Sequence, residues 1–197
     1  MGHIKMPRPA KLIVSMFTAD PTLFDQAQAR MAALWGEGDW VSETFPFEHT
    51  DYYAPEFGAH LLRRFVTFAQ LIDPGRLAEI KLASNALEQE WLEGDRRRIN
   101  LDPGYVSLSK LVLATTKDHG HRIYLGQGIY AEVTLCYQHK KLSPWPWTYP
   151  DYASPPYLAL FEGIRQRYAA QLRSLGDLKL SAISDQLSAR QCGDQMM

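Results

Sequence analysis

The densest set of chemistry-bearing side chains lies between Thr115 and Glu132. Gly126-Gln127-Gly128 separates two short segments of alternating polar and apolar residues, the pattern of a β-hairpin. Side chains alternate across a strand. A three-residue loop therefore sets Leu125 opposite Ile129, Tyr124 opposite Tyr130 and Arg122 opposite Glu132. One face then carries Ile123, Leu125, Ile129, Ala131, Val133 and Leu135, and the other carries Arg122, Tyr124, Tyr130, Glu132 and Thr134. Two readings of the polar face stay open. As a solvated surface it holds one cross-strand ion pair, which contributes about 0.2–1 kcal/mol. As a pocket wall, its guanidinium recognises phosphate or carboxylate and its tyrosines stack on a ring.

The loop leading into the hairpin is Thr115-Thr116-Lys117-Asp118-His119-Gly120-His121. Hydroxyls, a lysine and a glycine on one loop can cradle an anion. His119 and His121, with Asp118 or Glu132, are the metal candidates, but a metal needs three or four ligands in one place and this spacing guarantees two. No metal is expected. His119 or His121 could also act as a general base, although no motif supplies a Ser, Cys or Asp partner. Asn100 and Asp102 offer polar groups at the end of a strand. Asp51, in the polar and aromatic segment His49-Thr50-Asp51-Tyr52-Tyr53, offers another. With Arg63, Lys81, Lys117, Arg122 and Glu132 they make a mixed-charge set that suits a phosphorylated or zwitterionic small molecule. Trp145, Trp147, Tyr149, Asp151 and Tyr152 read as a lid or clamp across the sheet.

The elements that must position these groups follow from periodicity. Lys11 to Thr18 is an apolar run of strand length. Asp20 and Pro21 start a helix that reaches Leu34 and stops at Gly36. Trp40 to Phe47 and Leu61 to Ile72 read as strands. Pro74 opens a helix through Leu92, and Arg97 to Leu101 reads as a strand ending in an Asp102-Pro103-Gly104 turn. This strand–helix–strand–strand–helix–strand order is that of a ferredoxin-like core. The expected fold class is thus α+β, with a mostly antiparallel sheet, an added β-hairpin and a C-terminal helix from Tyr157 to Leu175. Residues 1–10 are expected to form a flexible arm, 11–175 a single domain and 176–197 a mobile tail.

Composition narrows the partners. Twenty-one Lys and Arg against twenty-two Asp and Glu leave a net charge of −1, so RNA is a less favoured partner than a small anionic ligand. The apolar runs are too short to span a bilayer, and the N-terminus does not read as a signal peptide. Two cysteines, Cys136 and Cys192, provide no disulfide framework, so a cytoplasmic setting is expected.

Several blocks carry a resemblance: TDYYAPEFG (50–58), RRFVTFAQLI (63–72), IKLASNALE (80–88), RRINLDPGYV (97–106), KLVLATTKDHGHRIYLGQGIYAEVTL (110–135) and WTYPDY (147–152). In these the chain resembles the domain of unknown function 4416 family from about Lys11 to Leu172. The resemblance implies a bacterial protein. Some members of the family carry a GTP-binding label, yet this chain has no GxxxxGK[ST] loop. Its thirteen glycines are scattered, and the nearest guanine-reading motif, Thr116-Lys117-Asp118, has its Lys and Asp adjacent. Hydrolysis of GTP by a phosphate-loop mechanism is therefore not expected. The expected function is binding of a phosphorylated or nucleotide-like small molecule on the polar and aromatic sheet face, with a non-catalytic RNA- or protein-binding module as the alternative.

Overall fold

The computed structural model describes residues 2–47, 54–58 and 60–193, with side chains described through 176 except at 54 and 55. The first strand, β1 (Ala10–Thr18), is buried along its whole length. Helix α1 (Thr22–Trp35) begins where the Asp20 carboxylate accepts the Thr22 N–H at 3.0 Å. It ends at Gly36, whose φ of 84° favours glycine. The stretch expected as one strand from Trp40 to Phe47 is two, β2 (Gly38–Val41) and β3 (Phe45–Pro46). A short turn, α2 (Ala54–Phe57), precedes β4 (Leu62–Ile72), a strand as its β-branched and aromatic centre predicts. Helix α3 (Leu77–Glu88) is flanked by single 3₁₀ turns, Pro74–Arg76 and Gln89–Trp91. A small ribbon, β5 (Leu92–Glu93) and β6 (Arg96–Arg97), leads into β7 (Ile99–Val106). Then come β8 (Lys110–Thr115), the hairpin β9 (Ile123–Gly126) and β10 (Ile129–Gln138), β11 (Lys141–Pro144) and helix α4 (Pro155–Gly193). Helix α4 passes through Gly176, which the sequence reading takes as its end. A lone glycine costs a helix only about 1 kcal/mol, and good helix formers lie on both sides.

The protein is an α+β fold with a mostly antiparallel sheet. The main sheet has nine strands, with the path β11-β10-β8-β7-β1-β4-β2, β3 beside β4 and β9 beside β10. Both faces are covered. Leu12, Val14 and Met16 of β1 pack under α1 and α3 with Phe24, Met31 and Ile80. Ile13 lies on the opposite face, in the cluster that Tyr157, Phe161 and Ile164 of α4 complete. The alternation along β1 thus feeds two cores, which explains why its sequence is continuously apolar.

One junction departs from the sequence reading. Asp102-Pro103-Gly104 is not a turn, because β7 runs straight through it beside β1, with Val14 opposite Pro103. On the other side, β7 pairs with β8 only from Val106↔Leu111 to Gly104↔Leu113. The backbone groups of alternate residues in a strand point to opposite sides. Those of Leu101, Pro103 and Tyr105 therefore point toward β8. Pro103 has no N–H to give, so the ladder stops there. The next pair of groups, on Leu101, is bonded by α3 instead. The Leu101 N–H donates to Glu88 Oε1 at 2.7 Å. Its carbonyl accepts from Lys81 Nζ at 3.0 Å and from Ser84 Oγ at 3.2 Å. The sheet opens at this point, and three side chains of a helix take the place of a strand.

Gly104 is required for the last contact before the opening. A Cβ on it would lie 2.4 Å from the Val112 carbonyl oxygen and 2.7 Å from a Leu113 methyl. Gly104→Ala should therefore cost about 1–3 kcal/mol through overpacking. The measurement is a urea midpoint that falls with an unchanged slope. An unchanged midpoint would show that the two strands can part further without cost.

Candidate functional site

A cavity of about 780 Å³ occupies the opening between β7 and β8, within the usual range for small-molecule sites. Helix α3 supplies Lys81, Asn85 and Glu88 to one wall, the 3₁₀ turn that follows it supplies Gln89, and β7 supplies Asn100 and Asp102. The opposite wall is β8 and its following loop, Leu113 to Lys117, with Arg122 and Glu132. Arg63 of β4 and the segment Tyr149 to Asp151 close the side. Among the described residues, the lining holds five basic side chains (Arg63, Lys81, Arg97, Lys117, Arg122) and five acidic ones (Glu56, Glu88, Asp102, Glu132, Asp151). That balance makes it a mixed-charge site rather than a basic patch.

The charges are arranged in connected groups. Lys81 Nζ donates to Asp102 Oδ1 at 2.9 Å, and Asn100 donates to Asp102 Oδ2 at 2.7 Å. Burial alone would raise the Asp102 carboxyl, but Lys81, Arg63 and the Asn100 hydrogen bond outweigh it and hold the group below the ordinary carboxylate value. Arg97 grips both oxygens of Glu56 at 2.6 and 2.9 Å and reaches Glu88 at 2.9 Å. The hydrogen bond from Arg97 lowers Glu56. Glu88 is raised, because its burial outweighs the pull of Lys81 and of the Leu101 N–H. Arg63 pairs with Asp151 and lies 3.7 Å over the Phe47 ring. Its Nε is buried and has no hydrogen-bond partner among the described residues.

Of the residues singled out in the sequence, Arg122 and Glu132 come together, but the hairpin loop is shorter than the expected three residues. Ile129 pairs with Gly126 rather than with Leu125, and a bulge beside it restores Tyr130 opposite Tyr124. Arg122 Nε donates to Glu132 Oε2 at 2.9 Å, with both side chains only 3% exposed. The same guanidinium donates to the Lys117 carbonyl at 3.0 Å and to the Tyr149 hydroxyl at 3.2 Å. Lys117 and Asp102 line the same cavity. Tyr124 and Tyr130 sit opposite each other, ring centroids 5.2 Å apart, but outside the lining. Tyr124 is 59% exposed, and its hydroxyl accepts from the Gly128 N–H. Its neighbour Ile123, expected on a buried face, is 68% exposed, because among the described residues β9 pairs with β10 alone and forms an edge. Asp51 lies outside the described residues. His119 and His121 stack at 5.9 Å, and His121 stacks in turn on Trp147 at 5.4 Å and approaches Glu132 at 3.3 Å. Among the described residues, no group of three or more His, Cys, Asp or Glu side chains is placed to hold a metal.

The segment Trp145 to Tyr152 acts as a strap. Trp147 Nε1 donates to the Val133 carbonyl at 3.2 Å and the Thr148 hydroxyl to the Thr134 carbonyl at 2.6 Å. Asp151 is anchored by Arg63. Sequence reasoning passed over Arg97, Asn85 and Glu88. A signal was present: Lys81, Ser84 and Glu88 recur at three- and four-residue spacing on the buried face of α3, where apolar residues are the rule.

An antiparallel α+β domain whose sheet parts around a balanced cluster of buried charges is the class that fold and site define. The chain belongs to the family described as Domain of unknown function (DUF4416), whose model matches residues 8–168 and so takes in the whole described lining of the cavity. No curated protein and no solved structure matches it.

Two stability measurements probe the cluster. Glu132→Leu leaves the Arg122 guanidinium buried without its partner and should cost about 3–5 kcal/mol, whereas replacing both with apolar residues should cost less. Equal losses would show that the pair is not what holds the strand end. Asp102 binds a proton less readily folded than unfolded. Its contribution to stability is therefore complete above the unfolded value, about pH 4, and is lost as pH falls through the folded value. Asp102→Asn should lower stability at neutral pH and flatten the acid limb of a denaturation series. Curves parallel to wild type would show that Lys81 does not hold the carboxyl down.

Proposed function

We propose that the protein binds a small phosphorylated or nucleotide-like molecule in the cleft between β7 and β8. The observation that carries this reading is the clustering of Thr115, Thr116, Lys117 and Arg122 on one wall of a cavity large enough for such a ligand. Arg122 is already oriented by Glu132 and Tyr149, and an oriented guanidinium loses little freedom when it meets a phosphate. The opposing acids suit a ligand that carries donor groups as well as an anion. They also favour a small molecule over RNA, which calls for a continuous basic surface. The mode is a phosphate held by side chains on a loop, not by a glycine-rich phosphate loop. The strand order β7-β1-β4-β2, with α1 and α3 on one face, supports reading the core as ferredoxin-like. The cysteine content supports a reducing, cytoplasmic setting.

A thermal-shift screen against nucleotides, sugar phosphates, pyrophosphate and divalent metals tests the proposal. A ligand at 100 times its dissociation constant should stabilise the fold by about 2.7 kcal/mol. Lys117→Ala removes an exposed charge and should weaken that ligand roughly tenfold or more, as expected for a charge-assisted hydrogen bond. A screen in which no phosphate-bearing compound shifts the transition, or a hit indifferent to Lys117, would overturn it.

A further inference from the structure

The polar groups around the cavity divide into two sets. The charged side chains of the α3 wall are committed to the fold: Lys81 to Asp102 and Leu101, and Glu88 to Arg97 and Leu101. Asn85 and Gln89 are not. Both line the cavity, and neither side chain has a hydrogen-bond partner among the described residues. They follow Lys81 at successive four-residue steps, Asn85 on the same side of α3 and Gln89 at the start of the 3₁₀ turn that continues it. Asn85 is half-buried, a position where an amide without a partner carries a desolvation cost. Each amide offers two donors and an acceptor in one plane. Such a group pairs with a planar partner that presents a donor beside an acceptor. The same cavity contains a flat ring held ready. Tyr149 is 45% exposed, and its hydroxyl is fixed by Arg122.

We infer that Asn85 and Gln89 read a flat, hydrogen-bonding ring on the bound phosphate compound, a nucleobase or a ring carboxamide, which stacks on Tyr149. This rests on the phosphate reading above and names the other end of its ligand. A site built to hydrogen-bond a group discriminates strongly against analogues that lack it, because its own polar atoms are then left unpaired. Asn85 and Gln89 are therefore specificity-determining residues, whereas Lys117 and Arg122 supply affinity for any phosphate.

The experiment is isothermal titration of wild type and Asn85→Ala/Gln89→Ala with the four common nucleoside monophosphates, nicotinamide mononucleotide, ribose 5-phosphate and adenosine. Alanine is a strong helix former, so α3 is kept, and a melt without ligand checks this. Wild type should bind at least one ring-bearing phosphate about tenfold or more tighter than ribose 5-phosphate. The base monophosphates and the carboxamide compound distinguish the two kinds of ring. The double variant should bind that compound no better than ribose 5-phosphate, with its affinity for ribose 5-phosphate unchanged. A ring preference that survives in the variant, or wild type without any preference, overturns the inference and leaves the phosphate reading standing. Adenosine binding as tightly as its monophosphate overturns the phosphate reading alone. Absence of binding by every compound overturns both.

Discussion

A strand in the middle of a sheet must have its backbone groups bonded on both sides, and β7 meets that demand in two different ways. Toward β1 it is paired along its whole length. Toward β8 the ladder ends because Pro103 lacks the N–H that the next rung needs. Leu101 would be left with a buried donor and a buried acceptor. Glu88, Lys81 and Ser84 of α3 bond both. The cavity, the depth of its charges and the placement of α3 all follow from this exchange of a strand for three side chains.

Burying Lys81 and Glu88 carries a desolvation cost, and each must then be paired. Lys81 draws in Asp102, which holds Asn100. Glu88 draws in Arg97, which holds Glu56. On the far wall Arg122 and Glu132 form a separate pair, tied to the strap through Tyr149. The pairing spreads outward from a backbone defect until it reaches groups that water can solvate. This accounts for a site in which acids and bases are equal in number among the described residues. It also separates the polar groups that hold the opening in place from Asn85 and Gln89, which line the cavity without a side-chain hydrogen bond among the described residues.

The strap from Trp145 to Tyr152 fixes the remaining wall without regular secondary structure. Its prolines prevent pairing, and its bonds run instead to the Val133 and Thr134 carbonyls and to Arg63. The His119, His121, Trp147 and Trp145 rings are nearly parallel along this side, with the last pair 5.2 Å apart. They brace the loop that carries Lys117 against the strap. In this way Trp145 and Trp147, which read as part of a lid or clamp in the sequence, help to position the groups that face the cavity.

Much of this was legible in the chain. Alternation gave the strands, glycine at Gly36 gave the helix end, and the glycines around Gln127 marked the hairpin that brings Arg122 to Glu132, although its first pair is Gly126 with Ile129 rather than Leu125 with Ile129. These are local properties, set by the period of side chains along one segment and the φ angles that glycine tolerates. The tertiary structure decided the rest. Asp102-Pro103-Gly104 carries every local mark of a turn, yet β1 on one side and the approach of Val112 on the other hold it extended. Lys81 reads in the sequence as one charge of a ligand site and Glu88 carries no mark at all, until the broken ladder beneath them requires a donor and an acceptor. Ile123 has the pattern of a core residue but lies on an edge strand, exposed to water. Whether a polar group faces solvent, a partner or an open cleft depends on which segments pack across from it, and that is a property of contacts distant in sequence.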